Sequence, residues 1–311
     1  LWGGPAPHSP YACLRSTPNF ATRPVLADLD GDGTEEIIVS NATHVVVINA
    51  SARPRAKATL REWPQYRYNV SRRGSAEVGI VRELSLKDLI PWSLRVRGLK
   101  WMPPAVGDLD GDGLPEIIIT ISQHHLEEIG ICKLRSKTLT KVFTTRHTIS
   151  TEPLIVDVDL DEEPEIIVGT FKPELVIASP KTGVEFRIPL TLMIWEAPAV
   201  CDLDGDGEIE IVVRSSYGIY CVNLSGVEWK YEKTIISTSP VIADINSDGY
   251  GEVIVGGYGK LYVISYDGKL VWLYRTPSSI VYSPAVGDVD GDGIKEIVFA
   301  AGSTVYVLNH Y

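Results

Sequence analysis

Short apolar runs bounded by acidic turns recur along the chain, and none of them follows a helical spacing. Six segments share one order of residues: Pro24–Val39 (PVLADLDGDGTEEIIV), Pro104–Ile119, Pro153–Val168, Pro198–Val213, Pro240–Val255 and Pro284–Phe299. Each predicts a short strand ending at an Asp, an acidic loop and a second strand such as Glu36–Val39. The apolar residues of that second strand run on without alternation, the mark of a strand covered on both faces. Further apolar runs follow each segment. The clearest, Lys260–Tyr266 and Lys269–Tyr274, flank Asp267-Gly268 and predict a hairpin.

The first acids of the six segments are Asp28, Asp108, Asp157, Asp202, Asp244 and Asp288, separated by 80, 49, 45, 42 and 44 residues. Because 80 is nearly twice the period, a seventh unit without the motif is expected between Asn41 and Gly98. Units of about 44 residues, each with four antiparallel strands, predict an all-β, seven-bladed β-propeller. The uniform period disfavours the alternative, a pair of β-sandwiches. After Asp288 only three strands are predicted (Pro284–Asp288, Glu296–Ala300, Thr304–Asn309), and an orphan strand, Tyr11–Ser16, precedes the first repeat. That orphan is expected to complete the last blade and close the ring, making residues 1–311 one domain with a degenerate, basic second blade within about 53–100.

The loops carry the chemistry. In Asp28–Glu36, carboxylates stand at positions 1, 3, 5 and 9, a backbone carbonyl is available at position 7, and glycines at 4 and 6 permit a tight turn. Four carboxylates so close together repel unless a divalent cation lies between them, and an all-oxygen donor set suits calcium. An EF-hand would need a Glu at position 12, where Val39 and Ile119 stand.

These loops resemble the FG-GAP and VCBS repeats, the calcium-binding β-propeller repeats also found in integrin α-chains. The resemblance implies up to six Ca²⁺ ions in the loops between the first two strands of each blade. The implied side-chain ligands are Asp28, Asp30, Asp32 and Glu36 in the first loop and Asp108, Asp110, Asp112 and Glu116 in the second. The third would use Asp157, Asp159, Asp161 and Glu165, and the fourth Asp202, Asp204, Asp206 and Glu210. The fifth offers Asp244, Asn246, Asp248 and Glu252, and the sixth Asp288, Asp290, Asp292 and Glu296. Position 7 would add the carbonyls of Thr34, Leu114, Glu163, Glu208, Tyr250 and Ile294. The third loop departs from the pattern, with Leu160 and Glu162 in place of the glycines, and the Phe-Gly and Gly-Ala-Pro signatures are missing. Integrin-like ligand binding is therefore not implied.

The formal charge of −11, from 40 acids against 29 Lys and Arg, concentrates in these loops. The expected ligands of the six loops account for 23 of the carboxylates, so the remaining body is basic, and six bound Ca²⁺ would bring the total to about +1. Loops of this open kind bind calcium at about 10⁻⁴–10⁻³ M, which suits an extracellular or cell-surface setting. Four glycosylation sequons, beginning at Asn41, Asn49, Asn69 and Asn223, agree with that. No signal peptide is visible, and the extracellular reading carries the expectation of a leader or anchor upstream of Leu1. No apolar run approaches the length of a membrane span. Four free buried thiols are expected, because Cys201 and Cys221 fall two strands apart in one blade.

The face opposite the acidic loops is expected to gather Phe20, Arg23, Lys100, Trp101, Phe171, Lys172, Trp195, Arg214, Tyr217, Tyr258 and Tyr282. Aromatic and basic groups together suit sugars and acidic partners. His44, His124, His125 and His147 fall on the same face and offer an alternative transition-metal site. The span 53–100 is a second candidate surface, with 12 Lys and Arg against 4 acids. No catalytic motif stands out: the chain has no Gly-x-Ser-x-Gly, no phosphate loop and no His-Glu-x-x-His. The expected function is a non-catalytic calcium-binding propeller that recognises a glycan or a protein, with no nucleic acid as partner. A rhamnogalacturonan-type polysaccharide lyase is the alternative, and a quinone-dependent dehydrogenase a more distant one.

Overall fold

A computed structural model describes residues 24–33, 35–40, 43–49, 92–100, 102–133, 136, 138–215, 217–232 and 235–309. Among these residues, six antiparallel sheets follow one another along the chain, five of four strands and a last one of three. The first holds β1 (Val25–Ala27), β2 (Glu36–Ser40), β3 (His44–Asn49) and β4 (Trp92–Arg95). The second holds β5 (Ala105–Gly107), β6 (Glu116–Gln123), β7 (Leu126–Lys133) and β8 (Thr138–Thr145). Next come β9 (Leu154–Val156), β10 (Glu165–Thr170), β11 (Glu174–Ser179) and β12 (Gly183–Pro189). The fourth sheet is β13 (Ile194–Cys201), β14 (Glu210–Ser215), β15 (Gly218–Asn223) and β16 (Gly226–Tyr231). The fifth is β17 (Val241–Ala243), β18 (Glu252–Gly257), β19 (Lys260–Ile264) and β20 (Leu270–Arg275); the sixth is β21 (Ala285–Gly287), β22 (Glu296–Ala301) and β23 (Thr304–Leu308).

In every sheet neighbours in sequence are neighbours in space, which is the order of a propeller blade. The continuous apolar runs behave as their pattern predicts: β10, β11, β15 and β18 are buried at all positions. Outer strands are more open, β16 being exposed at three of six positions and β20 at four. Five apolar clusters fill the spaces between successive sheets. Ile166, Val168 and Val176 of the third sheet, for example, pack on Ile118, Ile129 and Ile131 of the second. Each fully buried Ile or Val contributes about 1.5–3 kcal/mol.

The inner strands contain a recurrent bulge. In β13, Ile194 and Trp195 pair with Ser215 and Arg214, and the register then jumps so that Ala199 faces Val212. Pro198 sits inside the jump, where its missing N–H costs no ladder bond. The same offset recurs as lone bridges from Leu99 to Ile121, Ile149 to Thr170 and Ile236 to Gly257. Leu99, Ile149, Ile194, Ile236 and Ile280 are all buried, so an apolar residue eight or nine positions before the first Asp plugs each blade from the second to the sixth.

Two expectations need correction. The span Asn41–Gly98 is not a blade between the first and second. Its strand β4 pairs with β3 as the outer strand of the first sheet, His44 facing Arg95. The first and second sheets pack directly, with Val45, Val47 and Val96 against Ile117, Ile119 and Ile121. The long spacing reflects residues inserted between β3 and β4. Six sheets are therefore present among the described residues, not seven; Tyr11–Ser16 and residues 53–91 of the basic span lie outside them. The Asp267-Gly268 turn is also longer than two residues. Ile264 faces Leu270, the Gly268 amide donates to the Ser265 carbonyl at 2.9 Å, and Gly268 takes φ +78°.

Candidate metal centres

Each acidic loop is held by its own carboxylates before any cation is considered. The first Asp accepts loop amides on both oxygens: Gly31 N and Gly33 N lie 2.8 Å from Asp28 Oδ1 and Oδ2, and Gly111 N and Gly113 N are equally close to Asp108. These bonds, from Gly113 first, hold the Asp108 carboxyl below its ordinary range. Positive φ at Gly31 and Gly33 (78° and 84°) turns both amides inward. The third loop makes the same turn with Leu160 at φ 62° and Glu162 at φ 71°, and the fifth with Ser247 at 61°, at a cost of about 1–3 kcal/mol for each such residue.

The ninth-position glutamates have a role that spacing alone did not reveal. In all six loops the glutamate Oε2 accepts the amide of loop position 2. The distances are 2.9 Å for Glu36–Leu29 and Glu116–Leu109, 3.0 Å for Glu165–Val158, 2.6 Å for Glu210–Leu203, 3.0 Å for Glu252–Ile245 and 2.9 Å for Glu296–Val289. The position-2 side chains Leu29, Leu109, Val158, Leu203 and Ile245 are buried beneath the loops and tie them to the core.

The other oxygen is left over. Oε1 of Glu36, Glu210 and Glu296 is buried and has no hydrogen-bond partner. A buried ionised oxygen without a partner is costly, and a divalent cation supplies what it lacks. Carboxylate oxygens converge within 4.8 Å in five loops: Asp28, Asp30 and Asp32; Asp108, Asp110 and Glu116; Asp157, Asp159 and Glu165; Asp202, Asp204 and Asp206; Asp288, Asp290 and Glu296. The residues thus fit a hard, oxygen-loving ion such as Ca²⁺. In the fifth loop Asn246 replaces an Asp, and its Nδ2 donates to Asp248 and Glu252 at 3.0 Å. Thr34 lies outside the described residues; Leu114, Glu163, Glu208, Tyr250 and Ile294 occupy the expected seventh position.

Burial raises the carboxyls of Glu36, Glu116 and Glu252, and lifts Glu165 and Glu210 to about 7. Neighbouring acids add to this, including two that the repeat pattern does not contain: Glu185 beside Glu165 and Glu228 beside Glu210. Both come from the outer strand of their blade, where β12 and β16 bulge against β11 and β15.

On the opposite face, the rings of Phe171 and Trp195 meet at 5.2 Å, and Tyr217, Tyr258 and Tyr282 are 58–74% exposed. The basic residues there are not bare cations. Lys100 pairs with Glu127 at 2.7 Å, Lys172 with Glu174 at 3.1 Å and Arg214 with Glu196 at 3.7 Å. These three cations are each paired with a glutamate beside exposed aromatic rings. Phe20, Arg23 and Trp101 lie outside the described residues, and the metal-capable groupings found among those residues are all carboxylate, none taking in His44, His124, His125 or His147. Cys132, Cys201 and Cys221 are free, with burial pushing Cys132 to about 12 and Cys201 to about 11; Cys13 is not among the described residues. The Asn223 sequon is spent structurally, since its amide donates to Glu208 at 3.0 Å and Glu228 at 2.8 Å.

Comparison with known proteins agrees with this geometry. Among solved structures, the chain is similar to the V. cholerae biofilm matrix protein Bap1, with 21% identity over 67% of this chain and a TM-score of 0.52; it spans 37% of the Bap1 chain. It is also similar to BBS1N, solved in complex with ARL6DN (13% identity, 94% of this chain, 80% of that one, TM-score 0.56). The Dos1 propeller is alike to the same degree (10% identity, 94% and 68% coverage, TM-score 0.56). No curated protein sequence matches the chain. At these identities the likeness is one of fold, and the six sheets are propeller-like. Residues 244–299, which hold the fifth and sixth acidic loops, match the FG-GAP-like repeat family.

Proposed function

We propose that this protein is a calcium-stabilised propeller that serves as an extracellular binding module. The observation that carries the reading is the buried, unpartnered Oε1 of Glu36, Glu210 and Glu296 in three separate loops. A polar oxygen buried the same way in three repeats is a coordination position, and the ligands available at about 10⁻⁴–10⁻³ M affinity outside cells include Ca²⁺. Similarity in fold to a biofilm matrix protein supports an extracellular place. All six loops take part in the proposal, the fifth through the Asn246 oxygen.

The ring closes, in this reading, by seating the first blade on the last, with Tyr11–Ser16 pairing along β23. Support comes from the last blade itself. Val305 and Val307 are 68% and 53% exposed, although their register equivalents in the first blade, Val45 and Val47, are fully buried under the next sheet. The partner is a glycan or a protein, met on the aromatic face around Phe171 and Trp195. Exposed aromatic rings favour stacking on sugar rings. The test is a thermal melt with calcium and with excess chelator, followed by retention of the calcium-loaded protein on immobilised neutral and acidic polysaccharides. A melt unmoved by chelator overturns the calcium reading. Equal retention of wild type and Trp195→Ala overturns the aromatic face.

A further inference from the structure

The register of each blade places one residue of the third strand directly across from the ninth-position glutamate. Glu36 faces Asn49, and continuing the printed pairs by one step sets Glu116 against Lys133, Glu165 against Ser179, Glu210 against Asn223, Glu252 against Ser265 and Glu296 against Asn309. Five of these six are Asn or Ser. The exception is Lys133.

Where its counterparts are short, Lys133 reaches into the loop. Its ammonium is in direct contact with Asp110 Oδ2 and lies 3.8 Å from Glu116 Oε1, the atom whose equivalents in Glu36, Glu210 and Glu296 have no partner. The lysine thus provides a positive charge at the oxygen that the first, fourth and sixth loops leave for a cation. Asp110 in turn strengthens the ammonium's hold on its proton.

We infer that Lys133 is a built-in counter-ion of the second acidic loop and competes there with calcium, so that the second site fills after the first, fourth and sixth. This rests on the calcium reading of the loops. An ammonium and a divalent ion cannot both occupy the space between Asp110 and Glu116, and one unit charge a few ångströms from the ion weakens binding by roughly tenfold or more. The second loop would then keep its shape when calcium is scarce, while its neighbours loosen.

Calcium titration calorimetry on wild type, Lys133→Asn, Asp108→Asn and the double variant decides the matter. Asparagine is native at this register in three other blades, and Lys133→Ser repeats the test with the residue of two more; circular dichroism checks that each variant folds. The inference expects Lys133→Asn to add one ion to the tight class, bound about tenfold more tightly than before. It expects Asp108→Asn to remove that ion in the Lys133→Asn background and to leave the tight class intact in wild type. Identical isotherms for wild type and both lysine variants would overturn it, as would loss of a tight ion from wild type on Asp108→Asn. A wild type that takes up no calcium at all removes the calcium reading itself, which separates the two failures.

Discussion

Glu36 accepts the Leu29 amide through Oε2 at 2.9 Å, while its Oε1, in the same buried carboxylate, meets no partner. One oxygen closes the loop and the other waits for a cation, so the two functions are separable by substitution. Glu36→Gln keeps an acceptor for Leu29 but removes the charge. In chelator the variant is expected to be as stable as wild type or slightly more so. In calcium at a hundredfold excess over Kd it forfeits one site, about 2.7 kcal/mol. Urea denaturation with and without calcium measures both; an equal loss in the two conditions would mean that Glu36 is structural only.

Glu165 and Glu210 are lifted from an ordinary 4.5 to about 7, by burial first and then by the neighbouring acids. In the calcium-free protein the folded state therefore holds these protons between pH 4.5 and 7, where the unfolded chain has released them. Stability must fall as pH rises through that window. Bound calcium favours the ionised form and is expected to flatten or reverse the slope. Melting temperatures in chelator at pH 5 and pH 7.5 give the check; a chelated protein more stable at the higher pH contradicts it.

The acidic loops and the both-sides-buried second strands were legible in the sequence because each is a local pattern, a fixed spacing in one case and an unbroken apolar run in the other. What the pattern misplaced was the long gap. The 80-residue gap between Asp28 and Asp108 has the length of two units, and nothing local marks Trp92–Arg95 as the partner of a strand that ends at Asn49. Cross-strand relationships were hidden for the same reason. Lys133 opposite Glu116, and Glu185 and Glu228 beside the third and fourth loops, are neighbours only once strand register is known. The apolar plug at Leu99, Ile149, Ile194, Ile236 and Ile280 had a signal in its spacing, but each residue stands outside the conspicuous motif.

The third loop keeps the shared turn at the expense of two non-glycine residues in the left-handed region, Leu160 and Glu162. Leu160 is also 56% exposed, so its side chain repays little of the strain. Leu160→Gly is expected to stabilise the protein by about 1 kcal/mol or more in both calcium and chelator, since the strain belongs to the backbone. Glycine at Gly111 or Gly291 is already the native solution, at φ 76° and 85°. A destabilised Leu160→Gly variant would show that the leucine side chain has a contact worth more than the strain.

Gly256 of β18 illustrates how closely the blades approach. A Cβ there would lie 2.5 Å from Ile280 Cγ2 and 3.0 Å from Thr238 Cγ2, while the Thr238 hydroxyl accepts the Gly256 amide at 2.9 Å. Both neighbours are buried and belong to the plug segments of two successive blades, so neither has room to yield. Gly256→Ala is expected to cost about 1–3 kcal/mol by overpacking. Gly287 of β21, where a Cβ would meet nothing within 4 Å, tests the ring instead. Its equivalent in the second blade, Gly107, already has Ile155 of the next blade 3.0 Å from the added atom. If the first blade seats on the last, Gly287→Ala gains a neighbour of the same kind and loses stability, whereas an open edge leaves it unchanged. Closure predicts the loss, and a Val307→Asp variant sharpens the contrast. Its charge is harmless on an open edge but costs about 2–4 kcal/mol beneath a seated blade. Chemical denaturation of the two variants reads out the state of the ring, and wild-type stability in both would show that the face is open.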